Sequence, residues 1–187
     1  MTGVRHAGGR PRNRLRPWIW STALGLLLLP AMAMRFRPEW GVDWGPLDFA
    51  VMGVLLALVC GLYEMGARAS GDAVYRMGFA LAVLTGFLTV WVNLAVGMLG
   101  SEGDIINLAF AGVLLVAALG AALARLRPAG MARAMAATGA AQLLAVLAAL
   151  PMGFRPIELV LTACFALPWF ASALLFGVAA RRTSGRG

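Results

Sequence analysis

Thr85, Thr89, Asn93 and Gly97 recur at four-residue intervals inside an apolar run, so on a helix they form one slowly drifting polar stripe. Polar groups are costly in lipid, and a stripe of this kind could offer hydrogen bonds to a small solute or ion on its way across. The same spacing also serves packing. Gly78, Ala82 and Gly86 make a second stripe, and Gly53, Ala57 and Gly61 a third. Small residues let backbones approach, while Thr or Asn bonds across the contact. Packing is the favoured reading, and a polar path is the alternative.

The segment Gly100-Ser-Glu-Gly-Asp-Ile-Ile-Asn107 concentrates further polarity just beyond that run. Ser101 and Asp104 have the spacing of a capping box, with the acid opposing the positive end of the next helix. Capping accounts for Ser101 and Asp104 but leaves Glu102 and Asn93 unexplained. If these groups converge with Asp48, they form an outward-facing polar pocket. Asp48 and Glu64 bracket another apolar run at opposite ends, sixteen residues apart, and so cannot form one paired-carboxylate site. Glu64 is expected to pair with Arg68 one turn on. Gln142 is expected to bond between helices, and Pro168 to kink its helix.

Several chemistries are missing their residues. The single histidine is His6, in the N-terminal tail, which removes paired-histidine haem ligation, a histidine-based zinc site and a histidine proton relay. No Gly-x-Ser-x-Gly, Gly-x4-Gly-Lys or HExxH pattern occurs. No acid lies in mid-run to make an intramembrane carboxylate pair. No catalytic residue, cofactor or metal ligand is expected.

The elements that carry these residues follow from composition. Of 187 residues 61% are hydrophobic and only 13% charged, too few polar groups to cover a water-soluble domain of this size. The apolar residues fall into continuous runs at about 18–34, 47–65, 77–99, 105–123, 134–150 and 157–180, each of 17 to 24 residues. A helix needs roughly 20 residues to cross about 30 Å of hydrocarbon. Continuous runs, not alternating ones, mean helices, which satisfy their own backbone in lipid. The fold class expected is all-α, a polytopic bundle of six transmembrane helices, with basic tails at 1–17 and 181–187. A basic start, an apolar stretch and Ala31-Met-Ala33 imitate a cleavable signal. The long apolar run and Trp18 and Trp20, suited to the membrane interface, favour an uncleaved first helix. No internal repeat relates the halves.

Charge sets the expected orientation. The net charge of +8 comes from arginines. With the N-terminus inside, the cytoplasmic face collects Arg5, Arg10, Arg12, Arg14, Arg16, Arg68, Arg76, Arg125, Arg127, Arg133, Arg181, Arg182 and Arg186, and the outer face only Arg35, Arg37 and Arg155. That bias predicts both termini in the cytoplasm, in a bacterial inner membrane, and accounts for the basic balance without a nucleic-acid partner. Cys60 and Cys164 lie at different depths and are expected to form no bridge and to be buried, inert thiols.

The stretch Val90-Trp-Val-Asn-Leu-Ala-Val-Gly-Met-Leu-Gly-Ser-Glu102, then Asn107-Leu108, then Ala124-Arg-Leu-Arg-Pro-Ala-Gly-Met-Ala-Arg-Ala134, resembles a family of small bacterial multi-pass membrane proteins without an established activity. Its pattern is W-V-N-x-A-V-G-x-x-G-S-E followed by R-x-R-P-x-G-M-A-R-A, and the segment from Leu47 to Glu64 is similar as well. The resemblance spans about 44–145 and implies the membrane fold. It directs attention to Trp91, Asn93, Gly97, Ser101, Glu102, Asn107 and Arg133. Relatives read D-N-P-A-N-L after the glutamate, whereas this chain has Gly103-Asp-Ile-Ile-Asn-Leu108.

Two functions compete on these residues. One is a non-catalytic structural or accessory membrane protein, associating with lipid, with copies of itself or with another membrane protein. The other is a transporter or channel component using Thr85, Thr89, Asn93 and the Glu102/Asp104 mouth. A lipid-headgroup enzyme using the Arg125–Arg133 loop is a distant third.

Overall fold

The computed structural model describes residues 16–185. The outermost tail residues, including Arg5, Arg10, Arg12, Arg14, His6 and Arg186, lie outside the described residues. Among those described, seven α-helices follow in order: α1 (Arg16–Phe36), α2 (Pro46–Ala69), α3 (Ala73–Ala95), α4 (Leu108–Leu123), α5 (Pro128–Ala149), α6 (Pro156–Cys164) and α7 (Ala166–Ser184). With α6 and α7 counted as one broken span, six helices are long and apolar enough to cross a membrane. The protein is all-α, and its helices fit a multi-pass membrane protein.

Local chemistry marks the helix starts. Proline occupies the first position of α2, α5 and α6, where no backbone N–H is needed. Asp72 caps α3, its carboxylate accepting the Tyr75 N–H at 2.9 Å. Two starts fall a full turn or more before the apolar runs. Helix α3 includes Arg76, whose guanidinium donates to the Ala67 and Ser70 carbonyls, and α5 includes Arg133. An arginine at a helix end keeps helical backbone while its head reaches polar ground, so hydropathy alone places these starts too late. The end of α3 also differs. The helix stops at Ala95, and Gly97 stands beyond it at φ 79°, so the four-residue stripe breaks there. A Cβ on Gly97 would come within 2.6 Å of the Ser101 carbonyl, which leaves only glycine.

The chain divides into two compact units, residues 1–60 and 61–187. In the first, α1 has no buried residue, and Trp44 meets Phe49 edge-on at 5.3 Å. In the second, α5 lies against both α4 and α7, and α3 lies against α7. Lipid gives no hydrophobic drive to bring helices together, so contact depends on close fit. The glycines show how it is reached. A Cβ on Gly120 of α4 would stand 2.7 Å from the Ala134 Cβ of α5, and one on Gly130 of α5 would stand 2.7 Å from the Ala124 Cβ. Gly78 of α3 leaves room for α7, so that the Ser172 hydroxyl donates to the Gly78 carbonyl at 2.8 Å. Around these contacts Tyr75, Phe79 and Phe176 interlock with Met131, Met135 and Trp169.

The α4–α5 turn is held in an unusual shape. Arg125 and Leu126 adopt φ of 48° and 57°, a left-handed pair that costs non-glycine residues roughly 1 kcal/mol each. The Leu126 amide reaches back to the Ala121 carbonyl, and the Tyr75 hydroxyl donates to the Leu126 carbonyl at 2.8 Å. Leu126 is thereby held against the core while Arg125 and Arg127 are exposed.

Candidate functional site

The α3–α4 turn is organised around Asn107, which is 4% exposed. Its side-chain oxygen accepts the Met98 and Leu99 amides, both at 3.1 Å. Its side-chain nitrogen donates to the Leu99 carbonyl at 3.1 Å and the Ser101 carbonyl at 2.6 Å. The Asn107 carbonyl in turn accepts from the Asn93 amide at 3.1 Å. One side chain therefore supplies partners to a loop that lacks regular structure, which buried backbone groups require.

This network extends across the second unit. The Thr162 hydroxyl donates to the Met98 carbonyl at 2.6 Å, and Gln142 donates to the Thr162 carbonyl at 3.0 Å. Gln142 thus bonds between helices, from α5 to α6. That carbonyl lies just before the break at Phe165, near Pro168, whose missing N–H leaves a helix bond unmade. The kink expected at Pro168 appears as this break. Thr162 and Ser172 were not singled out by the sequence, although a lone hydroxyl residue in an apolar run is the available signal.

The capping box forms only in half. Asp104 accepts the Ser101 amide at 2.6 Å and the Ser101 hydroxyl at 3.0 Å, but Ser101 caps no helix. A single 3-10 turn, Ile105–Asn107, intervenes before α4, and Asp104 occupies its cap position without a forward side-chain bond. The Ser101 amide and hydroxyl hold the Asp104 carboxyl below the ordinary carboxylate range. Asp72 is likewise lowered, chiefly by the Tyr75 amide and further by Arg182, 3.7 Å away.

The remaining candidates separate. Thr85 and Thr89 are buried, at 2% and 0% exposure, and each hydroxyl donates four residues back, to the Leu81 and Thr85 carbonyls. Trp91 is 41% exposed and meets Phe87 at 5.5 Å. Glu102 is exposed, with no hydrogen bond or ion pair among the described residues. Asp48 belongs to the first unit and accepts the Gly45 amide at 2.8 Å. Arg68 meets Glu64 at 3.0 Å, as their spacing implies. Neither cysteine forms a disulfide; Cys60 is buried, but Cys164 is exposed on the helix surface, a correction to the expected burial that follows from its position on the outward side of α6.

The arrangement offers tightly bonded turns and few free groups. Buried polar atoms without a partner among the described residues are the Asn93 and Gln142 side-chain oxygens and the Trp169 nitrogen. An open cleft of about 500 Å³ lies where Ser70, Gly71 and Asp72 face Arg182 and Thr183, and the Asp72–Arg182 pair crosses it. Among the described residues no three His, Cys, Asp or Glu side chains group to hold a metal. No family model, curated protein or solved structure matches the chain.

Proposed function

We propose that the chain is a non-catalytic structural or accessory protein of the bacterial inner membrane, working by association with a second copy or another membrane protein. The observation behind this reading is that Thr85, Thr89, Ser101, Asp104 and Asn107 spend their polar atoms inside the fold. Groups already bonded to backbone have little left to offer a passing solute. The unburied surface of α1 leaves apolar area for lipid or a partner helix. The arginine bias supports both termini in the cytoplasm. Native mass spectrometry and crosslinking in mild detergent test the proposal. A self-associated species or a stoichiometric membrane partner is expected; a lone monomer throughout would contradict it.

A transport role is the second reading, favoured by the unpartnered oxygens of Asn93 and Gln142. Under it, Asn93→Leu abolishes flux in a protein that still folds. Under the scaffold reading the substitution changes stability only.

A further inference from the structure

We propose that the α4–α5 corner binds the headgroup of an anionic phospholipid through Arg125, Arg127 and Arg133, with an acyl chain along the exposed leucine ridge of α4. The proposal concerns a lipid ligand and stands apart from any partner the protein has.

Charge bookkeeping within the chain directs attention to this corner, which holds three of the arginines without an ion pair among the described residues, Arg35 and Arg181 being others. Arg68 is paired with Glu64, Arg182 with Asp72, and Arg76 is bound to two carbonyls. Arg125, Arg127 and Arg133 are exposed and meet no carboxylate among the described residues. None is close in sequence either, since no acid occurs between Asp104 and Glu158. Three guanidiniums within nine residues therefore take their counter-charge from outside the chain. Guanidinium suits phosphate because its fork of donors matches two phosphate oxygens.

Position favours lipid over a free anion. Leu115, Leu119 and Leu123 are all exposed and follow one another at four-residue spacing, which places them on one side of α4, ending two residues before Arg125. That is an apolar track leading to a basic end, the pattern of a phospholipid. The corner is also preset. The Tyr75 bond to the Leu126 carbonyl and the left-handed turn fix the backbone between Arg125 and Arg127, so little ordering is left for binding. Arg133 starts about level with Gly120, judging by the Ala134 contact, and its long stem can extend back toward the headgroup depth.

The test is lipid retention measured by native mass spectrometry, using the full chain in mild detergent titrated with phosphatidylglycerol or with phosphatidylcholine of the same acyl chains. Preferential retention of the anionic lipid is expected. Each lost arginine should weaken it about fivefold, and R125Q/R127Q together about 25-fold. Arg155→Gln, in the connection between α5 and α6, should leave it unchanged. Should the double variant fail to fold, Arg133→Gln alone reads the same fivefold loss from a helix surface. Retention by the arginine variants equal to the parent overturns the proposal. So does displacement of the lipid by equimolar inorganic phosphate, which would make the corner a plain anion site.

Discussion

A side-chain amide buried beside a turn can replace the water that the turn's backbone has lost, and Asn107 does this at four points. Bonds of this kind within membrane proteins average about 0.6 kcal/mol, and a buried amide left unsatisfied costs a further 1–3 kcal/mol or so. Asn107→Ala is therefore expected to destabilise by about 3 kcal/mol, read as a lowered unfolding midpoint in detergent. Glu102→Ala, at an exposed position one turn away, should stay within about 0.5 kcal/mol. Asp104 gives a pH test. Its folded pKa lies below that of a free aspartate, so its contribution is complete above the free value and fades as pH falls through the lower folded one. The Ser101 amide resonance should titrate with a midpoint below that of a free aspartate; a midpoint at or above the free value would show that the bond does not form. The sequence marked Asn107 and the Ser101–Asp104 pair as polar and worth attention. It could not show the direction of their bonds, because those depend on Gly97 ending α3 early and folding Met98 and Leu99 back over Asn107.

At the scale of helices, glycine spacing identified which elements use small residues but not which glycines meet a neighbour. Gly78 packs against α7, whereas Gly61 has open space where a Cβ would stand. The tight Gly120–Ala134 contact between α4 and α5 belongs to none of the three stripes. It depends on the register of α4 against α5, which the left-handed turn at Arg125 and Leu126 sets. Gly120→Leu should destabilise by about 1–3 kcal/mol through overpacking. Gly112→Leu on the same helix, where a Cβ would meet nothing within 4 Å, should be neutral or slightly stabilising in the same unfolding assay. Helix existence was legible because 20-residue apolar runs have few alternatives in lipid. Boundaries were less so, since Arg76 and Arg133 sit inside helices whose ends hydropathy hides.

For the whole molecule, six apolar spans are a property of the fold, while orientation rests on the arginine count. A fluorescent reporter fused after Gly187 should be bright under the proposed topology, and a periplasm-dependent phosphatase at the same site silent. The distinction between scaffold and conduit turns on whether the α3 stripe meets water. In a background carrying Cys60→Ala and Cys164→Ala, single cysteines at Thr85 and Thr89 can be challenged with a small water-soluble thiol reagent in intact membranes. With both positions buried against protein, neither should react from either side; rapid modification at Thr85 or Thr89 would reveal a wet passage and contradict the account.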